Sequence, residues 1–349
     1  MSEPGSVLVV APNWLGDAVM ALPAIADVRR QFPSSRLVVA ARRAVVGLFR
    51  LVPAVDAAVT LRWSGRWWQY RLLAADAERL RKGGFDLAVL LPNSFAAAWL
   101  VRRAAIPDRW GYATDGRSML LSRSVSRPPG GRHHGAYYQY LTRAFEIENG
   151  PLEPTLTVSA EASAVARQKL CNSGWDGARP LLVCAPGAAY GGAKRWTPEY
   201  VARLATDMVR QHQMTCVLVG SAGDAEGTRD VRSMIDPEAL RDVIDLSGQT
   251  TIEVLAGVMG VASACVANDS GAMHLAAAVG TPLVAIFGPT REDETAPLTR
   301  PWGRVEVLTH PVSCRPCMLR ECPIDHRCMR GITPERVRTS LVSLLSSTT

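Results

Sequence analysis

Short runs of apolar, β-branched residues alternate with helix-patterned segments along this chain, and the alternation happens twice. Val7–Val10, Leu37–Ala40, Ala57–Leu61 and Leu87–Leu91 read as strands in the first half; Leu181–Ala185, Thr215–Val219, Val243–Leu246, Cys265–Ala267, Leu283–Phe287 and Val305–Leu308 do so in the second. Each is apolar on both faces, the pattern of a strand covered by helices on both sides. Asp17–Gln31, Pro198–Gln211, Ile252–Val261 and Gly271–Val279 carry helical periodicity between them. Such alternation dictates a parallel sheet with right-handed crossovers. The sequence therefore predicts two doubly wound α/β domains, and 349 residues are too many for one ordinary core.

The break falls at Asn149-Gly150-Pro151-Leu152-Glu153-Pro154, where two prolines and a glycine stop regular structure. The expected domains are 1–155 and 156–330, followed by a helical segment at 331–349 that can pack back on the first domain. Within that segment Thr333 is placed as N-cap and Pro334 at the first helical position.

Composition is that of a soluble globular protein, 48% hydrophobic and 20% charged. A net charge of +7 favours an anionic partner such as nucleic acid, a phosphorylated glycolipid or a nucleotide, or serves solubility alone. The first residues carry no cationic leader, and the apolar run at Val7–Val10 is too short for a signal core. The uncharged stretch Ser270–Thr290 reaches membrane-spanning length, but His274, the Gly280-Thr281-Pro282 turn and Gly288-Pro289 interrupt it. A buried helix followed by a buried strand accounts for it. The expected location is cytoplasmic, with the eight cysteines reduced.

The strand at Cys265–Ala267 runs into Asn268-Asp269-Ser270-Gly271, where a helix begins. A helix N-terminus presents free N–H groups and partial positive charge, a ready diphosphate site at the carboxyl end of a strand. Gly271 lets an anion approach, Ser270 adds a hydroxyl and His274 adds a donor; alternatively Asp269 or Ser270 merely caps the helix. Leu181–Ala185 leads into Pro186-Gly187-Ala188-Ala189-Tyr190-Gly191-Gly192-Ala193-Lys194-Arg195-Trp196. Glycines there can turn N–H groups toward phosphate and Lys194 supplies a point charge, although neither a P-loop nor Gly-x-Gly-x-x-Gly is present. A third strand end carries Asp224 and Glu226, either of which can hold ribose hydroxyls or cap a helix. The first strand ends in Ala11-Pro12-Asn13-Trp14-Leu15-Gly16-Asp17, which offers Asp17 as a base at a helix start or as a plain cap.

In order, Pro12-Asn13-Trp14-Leu15-Gly16-Asp17, Leu91-Pro92-Asn93-Ser94-Phe95, the run from Pro186 to Trp196, Asn268–Ala278 and Phe287-Gly288-Pro289-Thr290 resemble glycosyltransferase family 9, the ADP-heptose:lipopolysaccharide heptosyltransferases, and most the heptosyltransferase II branch. The resemblance spans nearly the whole chain. It implies a GT-B fold, two Rossmann-like domains facing each other across a cleft, the first for the acceptor and the second for the donor. It implies inverting transfer of L-glycero-D-manno-heptose from ADP-heptose to the inner core of lipopolysaccharide, the second heptose onto the first of Kdo2-lipid A. By the same resemblance Asp17 is the general base, Lys194 faces the diphosphate, and Asp269, Ser270, Gly271 and His274 hold the donor. Asn13, Gly16, Asn93, Ser94, Gly187 and Arg195 are further substrate contacts. No metal-bound diphosphate is implied; cationic groups and the helix N-terminus would stabilise the leaving ADP. The chain departs from some relatives in having Ala188 and Ala189 where they place hydroxyl residues.

On the acceptor side Arg117 and the cluster Arg132-His133-His134 are candidate anion contacts. The segment Arg62-Trp63-Ser64-Gly65-Arg66-Trp67-Trp68-Gln69-Tyr70-Arg71 suits a membrane interface, and the protein is expected to touch the membrane peripherally; a helix packing its tryptophans on the core is the stronger reading of the pattern itself. Cys314, Cys317, Cys322 and Cys328 are candidates for a structural zinc, although the spacing is irregular. The competing readings are a family member with another acceptor and a non-catalytic nucleotide- or nucleic-acid-binding protein; nucleic acid is not an expected partner.

Overall fold

The computed structural model describes residues 3–299 and 303–346. The chain divides into two compact units, Met1–Thr157 and Val158–Thr349. The first contains β1 (Ser6–Val10), α1 (Leu15–Met20), α2 (Leu22–Gln31), β2 (Arg36–Arg42), β3 (Ala57–Leu61), α3 (Tyr70–Lys82), β4 (Leu87–Leu90), α4 (Phe95–Arg103), β5 (Asp108–Tyr112), β6 (Arg123–Val125) and α5 (His134–Ala144). The second contains α6 (Ala160–Asn172), β7 (Leu181–Ala185), α7 (Pro198–His212), β8 (Thr215–Leu218), α8 (Ala225–Met234), β9 (Val243–Asp245), α9 (Ile252–Val261), β10 (Ala264–Asn268), α10 (Gly271–Val279), β11 (Leu283–Phe287), α11 (Glu292–Thr295), β12 (Val305–Thr309), α12 (Arg327–Arg330) and α13 (Pro334–Ser346).

Each unit is built on a six-stranded sheet, in the orders β3-β2-β1-β4-β5-β6 and β12-β11-β10-β7-β8-β9. All strand pairs are parallel. Renumbered within its own unit, each order is 3-2-1-4-5-6, the doubly wound Rossmann arrangement. The central strands β1, β7, β10 and β11 are buried at every position, as their two-sided apolar character requires. In such sheets the chain reverses direction of growth beside the first strand, and ligands bind in the crevice at the carboxyl ends there. Those switch points are β1/β4 in the first unit and β7/β10 in the second.

Several expectations need correction. The helix expected over Asp17–Gln31 is two helices broken at Ala21, with Pro23 in the first turn of α2. Proline has no N–H to continue the ladder, so α1 ends before it. The terminal helix α13 packs into the second unit. Its Val337 and Leu341 are fully buried in the second unit's core with Leu204, Met208 and Ile286. The uncharged stretch Ser270–Thr290 is, as expected, a helix followed by a buried strand, α10 and β11, with Gly280 at φ 95° closing the helix. Among the described residues no helix is long and apolar enough to cross a membrane.

Candidate active site

In the second unit the loops leaving β7 and β10 meet at the switch point. Asn268, the last residue of β10 and only 2% exposed, joins them. Its Nδ2 donates to the Pro186 carbonyl (2.6 Å) and its Oδ1 accepts from the Trp196 N–H (3.2 Å). One side chain thus clamps both ends of the glycine-rich loop. Within the loop, Gly187 lies against Asp224: a Cβ there would stand 2.4 Å from the carboxylate carbon. At Gly191 a Cβ would stand 2.3 Å from the Arg320 carbonyl oxygen.

Lys194 and Asp269, which the sequence sends separately to the donor, are bonded to each other. Lys194 Nζ lies 2.6 Å from Asp269 Oδ2, and their side chains are 12% and 5% exposed. The Thr290 hydroxyl donates to the same oxygen at 2.7 Å. A buried carboxylate requires such partners. Asp269 therefore fixes the ammonium, which also sits 4.7 Å from the centre of the Tyr190 ring.

The start of α10 is not capped by Ser270, whose hydroxyl is closed off from solvent and makes no hydrogen bond. The N–H groups of the first turn, beginning at Gly271, keep their positive end open for an anion. His274 lies one turn in and is 3% exposed. Past the end of β8, Asp224 forms a capping box with Ser221, accepting from its N–H at 2.9 Å and its hydroxyl at 2.7 Å. Arg195 reaches to 3.7 Å of the other Asp224 oxygen. Of the two acidic candidates at this strand end, Asp224 is thus the cap, and Glu226 is the exposed carboxylate in the first turn of α8.

The cysteine-bearing segment backs this loop. Tyr190 Oη donates to the Met318 carbonyl (2.7 Å), the Ala193 N–H to the Arg320 carbonyl (2.9 Å) and the Gly192 N–H to Glu321 (2.9 Å). Arg315 donates to the carbonyls of Gly288 (2.7 Å) and Thr290 (3.2 Å) and pairs with Glu292 (2.5 Å). Cys314, Cys317, Cys322 and Cys328 are free thiols. Among the described residues no group of three or more His, Cys, Asp or Glu is placed to hold a metal ion. The sequence does not single out Thr290, Tyr190 or Arg315 as site residues. Thr290 closes a quoted motif; Arg315 lies beside cysteines that drew the chemistry away from it.

In the first unit the loops at the β1/β4 switch point carry Asn13–Asp17 and Pro92–Phe95. Asn13 and Trp14 are exposed. Trp14 is the N-cap of α1 and Gly16 is helical, so Asp17 lies inside the first turn and is not the cap. Its Oδ1 stands 3.4 Å from His134 Nδ1, and its side chain is 28% exposed. Tyr138, one turn further along α5, hydrogen-bonds Asp17; burial first, then the Asp17 charge and that bond, push its hydroxyl well above the usual range. The Arg132-His133-His134 cluster is divided among three tasks. Arg132 lies over Tyr140 at 5.2 Å, His133 Nδ1 accepts from the Gly135 N–H, and His134 faces Asp17. Asn93 exchanges hydrogen bonds with the Tyr137 hydroxyl (2.8 and 3.1 Å), and exposed Ser94 caps α4.

Arg117, a candidate anion contact in the sequence, lies inside the unit and not on its surface. It is wholly buried, donating from Nε to the Tyr112 carbonyl (2.9 Å) and from Nη1 to those of Pro92 (2.5 Å) and Ser94 (3.1 Å). Burial pushes its pKa down to about 10. It ties the end of β4 to the end of β5 from inside.

A hollow of about 520 Å³ opens among Pro180, Met214, Ser263 and Pro282, which precede their strands. It lies at the amino ends of the sheet, opposite the end where such folds bind ligands.

Comparison with known proteins matches this geometry to a family. The model of glycosyltransferase family 9 (heptosyltransferase) matches residues 74–327. Lipooligosaccharide heptosyltransferase 2 of Haemophilus influenzae is 30% identical, over 84% of this chain and 86% of that protein. Lipopolysaccharide heptosyltransferase 2 of Salmonella typhimurium is 29% identical, over 97% of this chain and 98% of that protein. The solved structure of E. coli ADP-heptose lps heptosyltransferase II superposes with a TM-score of 0.84 at 28% identity, covering 98% of this chain and 99% of that one. The chain belongs to glycosyltransferase family 9, the heptosyltransferases, and is a glycosyltransferase.

Proposed function

We propose that this enzyme transfers heptose from ADP-heptose to the inner core of lipopolysaccharide, adding the second heptose to the first of Kdo2-lipid A with inversion. The observation that carries the reading is the buried Lys194–Asp269 pair beside the uncapped start of α10 at a topological switch point. An immobilised ammonium and open helix N–H groups suit a nucleoside diphosphate. The names of the relatives support heptose as the sugar and lipopolysaccharide as the acceptor.

In this reading an acceptor hydroxyl attacks C1 of the heptose and gives its proton to the Asp17 carboxylate. The bond between C1 and the diphosphate oxygen breaks, and the departing negative charge is met by Lys194 and the first turn of α10. Glu226 takes the ribose hydroxyls. A lipid-linked acceptor brings the reaction to the cytoplasmic face of a membrane.

The test is a transfer assay with ADP-heptose and Kdo2-lipid A acceptors bearing no heptose or one. Product is expected from the mono-heptosylated acceptor alone. Transfer to the heptose-free acceptor instead would assign the first addition. Asp17→Asn should lower kcat by about 10²–10⁴-fold and leave ADP-heptose affinity unchanged; near-normal turnover removes Asp17 as the base.

A further inference from the structure

Three large exposed rings of the first unit lie together in one loop. Trp67 is 84% exposed, Trp68 56% and Tyr70 62%, all within four residues of one another. The loop that carries them is tightly built. Asp76 of α3, fully buried, accepts from the N–H groups of Arg62 (2.7 Å) and Trp63 (2.8 Å) as the chain leaves β3. Trp63 packs in the core and its indole N–H donates to the Arg66 carbonyl at 3.0 Å. Gln69 Oε1 accepts from both the N–H and the hydroxyl of Ser64. The pattern reading thus holds for Trp63 alone. The next two indoles are held outward, in a T-shaped pair 5.8 Å apart.

Arginines accompany these rings. Arg66 lies 5.4 Å from the Trp68 ring and Arg71 5.9 Å from that of Tyr70, and Arg62, Arg66 and Arg71 are exposed. Residues 57–75 contain those three arginines and no Asp or Glu. The surface continues through Gly65, where a Cβ would stand 3.3 Å from that of Ala96, to Phe95 (41% exposed) at the start of α4. Phe95 stacks on Trp99, with Arg103 6.0 Å from that ring.

Large exposed rings held by a rigid loop mark an interaction surface. Rings that are apolar at one end and hydrogen-bonding at the other settle at lipid headgroup depth, and arginines meet the phosphates there. Charge complementarity decides the occupant: the loop brings three cations and no carboxylate of its own, against the single Asp115 carboxylate that accepts from the Phe95 N–H at 2.6 Å, and this cationic excess fits an anionic bilayer. Stable attachment takes two signals, apolar insertion and charge, and this loop supplies both. We propose that the segment Arg62–Arg71, with Phe95, seats the protein on an anionic phospholipid surface. The inference deepens the proposed function, because it rests on a lipid-anchored acceptor.

The experiment is co-sedimentation of the full chain with vesicles of phosphatidylcholine, alone or mixed with phosphatidylglycerol, without substrates. Wild type should partition onto the mixed vesicles, and W67A/W68A should lower the partition coefficient about tenfold at unchanged thermal midpoint. R66A/R71A should remove only the preference for anionic lipid. Transfer to a deacylated, water-soluble acceptor should be the same in W67A/W68A as in wild type. Wild type that fails to bind mixed vesicles, or W67A/W68A that binds as wild type does, overturns the inference. So does sedimentation velocity showing a wild-type dimer that W67A/W68A converts to monomer, since the patch would then be a self-contact. Absence of wild-type transfer to the soluble acceptor would instead bring down the proposed activity and leave the vesicle result standing.

Discussion

Lys194 works as part of a pair. Its ammonium shares Asp269 with the Thr290 hydroxyl in a nearly closed environment, so removing the carboxylate strands a buried cation. Asp269→Asn should lower kcat/KM by about 10²-fold, roughly 2.7 kcal/mol of transition-state stabilisation. Lys194→Met should do the same, and the double variant should be no worse than Lys194→Met alone, because the two act as one unit. Additive losses in that cycle would mean that Asp269 contacts the donor independently. Asn268→Ala belongs to the same scale. It opens both ends of the loop and should raise the KM for donor by about tenfold, the size of two lost buried hydrogen bonds.

At the scale of elements, the cysteine-bearing segment is a brace for the phosphate loop. Arg315 makes three of its attachments, to Gly288, Thr290 and Glu292. Arg315→Ala should weaken ADP binding about tenfold by calorimetry while moving the thermal midpoint by only about 2–4 °C. The pair also has a pH signature. Burial raises the Glu292 pKa, but the Arg315 hydrogen bond and charge outweigh it, and the folded value ends below the usual 4.5. A carboxyl lowered on folding adds stability above its unfolded value and loses it as pH falls through the folded one. Between pH 7 and pH 4, wild type should therefore lose up to about 1 kcal/mol more stability than Glu292→Gln, read from urea midpoints; the partial exposure of Glu292 keeps the figure small. Strands such as β1, β7 and β11 are legible in the sequence because both of their faces are apolar. β5 and β6 are not: Asp108, Arg109 and Gly111 interrupt one, and the other is a three-residue edge. The strand-end motifs gave the site its address. The burial of Arg117 could not be read, since two of its three acceptors are carbonyls some two dozen residues upstream that only the fold brings near. Nor could periodicity separate the buried Trp63 from the exposed Trp67.

At the scale of the whole molecule, each unit has its own closed sheet order and its own core. Such units fold independently as a rule. Residues 158–349 alone should give a cooperative thermal transition and bind ADP within about tenfold of the full chain, with no transfer activity, since Asp17 is absent. A fragment that is unfolded by circular dichroism would show the two cores to be interdependent. The clamp at Asn268 has a consequence for how this enzyme can change. With Pro186 and Trp196 both pinned to the sheet by one amide, the distance between the loop's ends is set without reference to what lies between them. Lengthening a loop whose ends are already fixed costs little, since closure entropy grows only with the logarithm of length. Ala189, exposed between buried Ala188 and the Tyr190 that lies against Lys194, is thus the graft point where donor preference can be redesigned while the sheet, the clamp and the Lys194 anchor stay as they are.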